Sequence, residues 1–146
     1  MNLIVYTTLA NDTSQQLINI LAKVAQWGKK ELFNTINRLT HRLTQIPKDS
    51  TIVILLITNN KELSFVLSLH QFFENFKLIL ILPDRRIQTM SKGHGLCPRY
   101  VSYSDSDFSD VGAVLEKMID NIRDGGRTRF QLSGSTETEK PEGCLS

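Results

Sequence analysis

Short runs of apolar residues, separated by polar turns, divide the chain into alternating strand-like and helix-like segments. The longest run is the aliphatic stretch 52–57, which lies between the turn residues 47–50 and the polar pair Asn59 and Asn60. A run this short that is apolar on both faces predicts a central strand of a parallel sheet covered by helices on both sides. The strands predicted in this way are residues 3–6, 51–58, 77–82 and 99–103.

Helical spacing of apolar residues follows these strands. The first predicted helix begins at the cap residues 11–13 and ends at Gly28. The most regular apolar stripe belongs to the last predicted helix, which Asp105 or Asp107 caps. Its members are Phe108, Val111, Leu115, Met118, Ile119 and Ile122. Two further helices are predicted from Asn59 or Asn60 to Phe73, and from Arg85 to Ser91 with Gly93 as terminator.

The segment after Gly28 is compatible with two structures. Apolar residues from Leu32 to Ile46 keep helical spacing, so that one helix could begin near Lys30. Alternatively, residues 31–33 form a brief strand, and Asn34 or Thr35 caps a helix that ends near Gln45. We prefer the second structure because a parallel sheet of alternating units needs a strand at this point.

Five strand–helix units predict a three-layer α/β fold with a doubly wound, parallel five-stranded sheet. Right-handed crossovers favour the strand order 2-1-3-4-5. Beyond Arg123 the composition changes to Gly, Ser, Thr and Glu with almost no apolar residues. The predicted organisation is therefore one α/β domain, residues 1–123, followed by a disordered polar tail, residues 124–146.

Composition agrees with one soluble domain. The chain has 146 residues, of which 40% are hydrophobic and 22% charged, and its net charge of +2 is too small to indicate nucleic acid. No apolar run approaches the roughly 18 residues that span a bilayer, so no membrane association is expected. Cys97 and Cys144 form neither a disulfide framework nor a metal-ligand spacing, which favours a reducing, cytoplasmic location.

The length and rhythm of residues 1–123 resemble the receiver domain of bacterial response regulators, a flavodoxin-like fold. The resemblance implies a phosphotransfer site with an acidic pair after the first strand and an acceptor Asp at the end of the third. It also implies a hydroxyl after the fourth strand and a Lys after the fifth. The matching positions are Thr7 with Thr8, residues 56–58, Pro83, and Ser104 with Asp105. None of these roles is filled, so the resemblance is to a degenerate receiver.

The leading hypothesis is therefore a non-catalytic, receiver-like regulatory module that binds a protein partner. It needs no cofactor and no metal, and a weak symmetric homodimer through the edge of the fifth strand is expected. The alternative is a protein or enzyme that binds a small anion at the C-terminal edge of the sheet. Its ligand-binding residues would be Thr7, Thr8, Asn59 and Asn60, close to two helix N-termini.

Two other groups of residues suggest chemistry. Asp84, Asp105 and Asp107 follow neighbouring predicted strands and could bind a metal, although capping of the following helices explains them better. His94 and Cys97 suggest an activated thiol, but their loop, residues 91–99, belongs to the N-terminal edge of the sheet. Gly93 and Gly95 are expected to shape a tight turn in that loop.

Basic residues form two small patches, neither of which indicates nucleic acid. Arg38, His41 and Arg42 lie on the second predicted helix, while Arg85, Arg86 and Lys92 lie near the fourth. Patches of this size are usually solvated faces, so a nucleic-acid partner is not expected.

Overall fold

The computed structural model describes residues 2–8, 12–24 and 29–123. Within these ranges five strands form one all-parallel sheet with the order β2-β1-β3-β4-β5. The strands are β1 (Asn2–Tyr6), β2 (Lys29–Phe33), β3 (Thr51–Leu56), β4 (Lys77–Leu82) and β5 (Tyr100–Tyr103). The helices are α1 (Asp12–Val24), α2 (Ile36–Leu43), α3 (Asn60–Ser68), α4 (Ile87–His94) and α5 (Ser109–Arg123). The predicted fold class and strand order are confirmed, and the fold is flavodoxin-like.

The sheet has an apolar layer on each face because the side chains of a strand alternate between its two sides. Every residue of β3 is buried. Val53 and Leu55 belong to the core beneath α2, α3 and α4, whereas Ile52 and Ile54 belong to the core beneath α1 and α5. The uninterrupted apolar run of β3 is therefore explained by helices on both of its faces.

The second unit forms the strand that alternation of units requires. β2 covers Lys29–Phe33, two residues more than the predicted strand 31–33, and pairs with β1 alone among the described residues. Thr35 is the N-cap residue of α2, in an extended conformation and without a side-chain cap hydrogen bond. The single-helix alternative beginning near Lys30 is therefore wrong.

The helix predicted to run through Phe73 is shorter than expected. α3 ends at Ser68, and the chain continues as a 3₁₀ turn, His70–Phe73, before Asn75 adopts a left-handed φ of 70°. The tighter turn still buries Phe73, which is 2% exposed, in the core. Tertiary burial of the ring thus outweighs continuation of the α-helix.

Gly93 was expected to end α4, but it lies buried inside the helix. A Cβ atom there would be 3.0 Å from a methyl group of Leu80 and 3.2 Å from one of Leu82. α4 ends at His94, and a Cβ atom on its C-cap residue, Gly95, would be 2.8 Å from a methyl group of Leu67. Gly93 therefore permits α4 to pack closely on β4, whereas Gly95 lies in the turn that follows α4, as expected. Gly28, Cys144 and the predicted tail, residues 124–146, lie outside the described residues.

Candidate functional site

The C-terminal ends of β1 and β3 lie side by side, where open α/β sheets bind ligands. Tyr6 is the register partner of Leu55, so that Thr7 and Thr8 leave the sheet beside the end of β3. Thr7 is 5% exposed and its backbone N–H donates to the carbonyl of Phe33 at 3.0 Å, whereas Thr8 is exposed. The first two predicted ligand residues therefore differ in their access to solvent.

The carboxylate of Glu62, on the first turn of α3, joins the end of β1 to the end of β3. Its Oε2 accepts a hydrogen bond from the Tyr6 hydroxyl at 3.0 Å. Its Oε1 accepts from the Thr58 backbone N–H at 2.8 Å and from the Thr58 hydroxyl at 3.1 Å. A carboxylate that accepts three hydrogen bonds is held in one place. It puts a negative charge beside the C-terminal ends of β1 and β3, the place that we call the crevice.

Asn59 completes this arrangement as the N-cap of α3. Its side-chain oxygen accepts the Glu62 N–H at 2.8 Å, and its amide nitrogen donates to the Thr58 hydroxyl at 3.3 Å. Together with Glu62, Asn59 forms a reciprocal cap similar to a capping box, although Glu62 reaches back to Thr58 rather than to Asn59 itself. The polar groups at the start of α3 thus cap the helix and attach it to the end of β3.

Burial raises the pKa of the Tyr6 hydroxyl, and the negative charge of Glu62 and the hydrogen bond to it raise that pKa further. All three effects favour the protonated phenol, which is the form that can donate to Glu62. The pair is therefore maintained throughout the neutral range.

Asn60 is directed toward α4 rather than toward the crevice. Its side-chain oxygen accepts a hydrogen bond at 3.2 Å from the hydroxyl of Thr89, a fully buried residue. A second contact between the same two helices is made by Lys92, which donates to the Ser64 hydroxyl at 2.9 Å. Of the four predicted ligand residues, Asn59 and Asn60 therefore have structural hydrogen bonds that explain their presence.

The three aspartates that suggested a metal each have a separate structural partner. Asp107 accepts at 3.0 Å from the N–H of Ser109, the first residue of α5, and this hydrogen bond lowers its pKa. Asp105 forms an exposed ion pair with Arg85. Within the described ranges no cluster of three or more His, Cys, Asp or Glu side chains could bind a metal ion. The metal alternative thus has no support there.

Asp84 also differs from the expected cap. The N-cap of α4 is Arg86, and Asp84 accepts the Arg86 N–H at 3.0 Å. A hydrogen bond from the Thr89 hydroxyl, followed by the Arg86 N–H, lowers the pKa of Asp84. A hydroxyl has one proton to donate, so Asp84 and Asn60 compete for the hydrogen bond from the Thr89 hydroxyl.

The loop 91–99 lies at the N-terminal edge of the sheet, as expected, because the Arg99 N–H donates to the carbonyl of Leu78 near the start of β4 at 2.8 Å. His94 is exposed at the end of α4, and Cys97 is disulfide-bonded with a left-handed φ of 54°. The expectation that the cysteines take no part in a disulfide is therefore wrong for Cys97, and a nucleophilic thiol there has no support.

Asp110 is a structural residue that sequence patterns do not indicate. Its Oδ2 accepts hydrogen bonds from the hydroxyls of Tyr100 at 2.8 Å and Ser102 at 2.9 Å, while its Oδ1 is buried without a partner. The carboxylate attaches the first turn of α5 to β5. The hydrogen bond to Asp110 is also the main cause of the raised pKa of Tyr100.

Sequence reasoning missed Glu62 and Tyr6, the two residues that define the crevice. The spacing Asn59-x-x-Glu62 is the sequence pattern of a reciprocal cap and could have indicated the first of them. In the sequence Tyr6 has only the features of a strand residue, because its partner is 56 positions away in the chain. No local pattern connects the two.

Comparisons with known proteins return no match to a family model, a curated protein or a solved structure. Among the described helices, none is long and apolar enough to cross a membrane.

Proposed function

We propose that this chain is a non-catalytic, receiver-like regulatory module that acts by binding a protein partner. The observation that supports this proposal is the position of Glu62. Its carboxylate lies where the ligand of an open α/β sheet would bind. The chain's own Tyr6 and Thr58 donate hydrogen bonds to this carboxylate. A crevice filled by internal hydrogen bonds is consistent with a scaffold whose surfaces, rather than its strand ends, carry the function.

The same carboxylate disfavours the alternative of anion binding. An anion at the start of α3 would lie close to the negative charge of Glu62, and Asn59 already accepts the Glu62 N–H there. Of the four predicted ligand residues, Thr8 is an exposed one whose hydroxyl could donate a hydrogen bond to such an anion. Anion binding therefore requires displacement of a cap that stabilises the helix.

Phosphoryl transfer tests the proposal directly. The purified protein is incubated with acetyl phosphate and Mg²⁺, and its intact mass is measured beside that of an active receiver domain as a positive control. We expect the control to gain one phosphoryl group and this protein to gain none, because it has no Asp at the end of β3 to accept one. Stable, stoichiometric phosphorylation would refute the proposal.

A further inference from the structure

The outer side of β2 offers unpaired backbone hydrogen-bonding groups. The carbonyl of Phe33 accepts the Thr7 N–H at 3.0 Å and therefore points toward β1. Because backbone groups alternate along a strand, those of Glu31 also point toward β1 and those of Lys30 and Leu32 point away from it. Among the described residues nothing pairs with this outer side. We call it the open edge of β2.

The surroundings of the open edge are basic. Residues 29–42, which form β2 and most of α2, contain four Lys or Arg and one Glu, a local net charge of +3, whereas the whole chain carries +2. The single carboxylate, Glu31, is neutralised by Arg42, whose Nε and Nη2 bind it at 3.0 to 3.2 Å. Lys29, Lys30 and Arg38 are exposed and form no ion pair with any residue that the structure describes.

An apolar side chain accompanies these charges. Leu32 is 58% exposed, although its register partner Val5 is only 5% exposed in the core beneath α1. A further strand beside β2 would cover Leu32 and would satisfy the outward backbone groups of Lys30 and Leu32.

We propose that the open edge of β2 binds an extended, acidic segment of a protein partner as an additional strand of the sheet. This inference rests on the proposed function and specifies the partner. Two copies of this chain would repel each other here, since each would bring Lys29 and Lys30 to the same interface. An acidic segment reverses that repulsion, so that the lysines select the partner by charge.

The test uses a fluorescent synthetic peptide of about ten residues in which Val and Glu alternate, the length of an ordinary strand. Its binding is measured by fluorescence anisotropy, beside a peptide that alternates Val and Lys and a single-stranded oligonucleotide. We expect the acidic peptide to bind and the basic peptide to show no binding. Preferential binding of the oligonucleotide would overturn the proposal.

Variants locate the binding surface. The double variant Lys29→Glu/Lys30→Glu should weaken peptide binding at least about tenfold. Lys61→Glu/Lys117→Glu makes the same charge change at exposed positions on α3 and α5 and should leave binding unchanged. Equal losses in both double variants would show that net charge alone attracts the peptide and would overturn the proposal.

Amide hydrogen exchange distinguishes strand addition from charge attraction without any substitution. The backbone amides of Lys30 and Leu32 should become protected when the peptide binds, whereas those of exposed α5 residues should not change. Binding without this protection would overturn strand addition. Absence of peptide binding, combined with absence of phosphoryl uptake, would remove this inference and leave the proposed function intact.

Discussion

The Tyr6 hydroxyl donates a hydrogen bond to Glu62 at 3.0 Å and so connects the last residue of β1 to the first turn of α3. The two residues belong to different strand–helix units, and their contact closes the place where the sheet could accept a ligand. Glu62 also receives two hydrogen bonds from Thr58, so that one carboxylate organises both strand ends. Its removal should therefore affect stability more than its partial exposure suggests.

Glu62→Gln should lower the free energy of unfolding by about 1–2 kcal/mol, because a neutral amide replaces the charged acceptor of three hydrogen bonds. Urea unfolding measures the loss. Glu116→Gln, at an exposed position on α5, is the matched control and should change stability by less than about 0.5 kcal/mol. Equal stability of the two variants would mean that the Glu62 network contributes nothing.

Alkaline pH should destabilise the protein through Tyr6. Folding raises the pKa of this phenol above its ordinary value of 10.0, first by burial and then by the neighbouring Glu62. A raised pKa stabilises the fold fully below the unfolded pKa, and that stabilisation is lost as the pH rises above it. Urea unfolding at about pH 8 and about pH 11 should therefore show a larger loss for the wild type than for Tyr6→Phe.

Tyr103→Phe is the control for this pH effect, since it removes a phenol but retains that of Tyr6. It should follow the wild type between the two pH values. If Tyr6→Phe loses as much stability as the wild type, the ionisation of other groups causes the alkaline effect.

Inorganic phosphate should not raise the melting temperature of the wild type, because Glu62 and the Asn59 cap occupy the start of α3. Asn59→Leu should cost about 1 kcal/mol through loss of the cap, whereas Thr8→Leu should change stability little. Differential scanning fluorimetry with and without phosphate measures both effects. A phosphate-induced increase in melting temperature that the combined variant Thr8→Leu/Asn59→Leu abolishes would establish an anion site.

Gly93→Ala should destabilise the protein despite the better helix propensity of alanine. The new methyl group would lie 3.0 Å from Leu80 and 3.2 Å from Leu82, and overpacking of a buried site costs about 1–3 kcal/mol. The gain in propensity is at most about 1 kcal/mol. Gly112→Ala on α5 is the control and should cost less. Its new methyl group would lie 3.2 Å from Ile20 and 3.5 Å from Val24, and both of these side chains are only partly buried. Thermal melts that show equal effects would contradict this account.

The edge formed by α4, β5 and α5 should support a weak symmetric dimer. Ile87, which is 84% exposed at the start of α4, is the apolar side chain that such a dimer would cover. Light scattering should show a mass that increases with concentration, and Ile87→Glu should reduce this increase. Leu32→Glu, at the opposite edge of the sheet, should leave it unchanged. A protein that stays monomeric at its highest soluble concentration would exclude this dimer.

Local sequence patterns were sufficient for most of the secondary structure. The double-sided apolar runs of β3 and β4 predict central strands, and both strands are buried along nearly their whole length. β2 was ambiguous because Leu32 continues the helical spacing of α2, and it was recovered only from the requirement that units alternate. Residues 85–91 were predicted as a helix that Gly93 ends, yet Ile87–His94 is the helix that forms, since Gly93 packs closely on β4 within the helix.

The candidate site was less predictable because it depends on contacts between distant residues. Asn59 was expected as a cap and is one. Thr7, Thr8 and Asn60 were expected beside it for ligand binding, but Asn60 instead contacts Thr89, and β1 is connected to α3 through Tyr6. Which side chains meet at a strand end follows from the register between neighbouring strands, and the register is a property of the folded chain.

The sequence by itself determined the alternation of strands and helices, the two-sided burial of the central strands and the strand order, because hydrophobic periodicity and the handedness of crossovers act locally. Only the tertiary structure decided that Glu62 fills the crevice, that Gly93 lies within α4, and that the backbone groups of Lys30 and Leu32 face outward. Each of these depends on a partner that is distant in sequence. Hydrogen bonds and close packing form between such partners only when the sheet has brought them together.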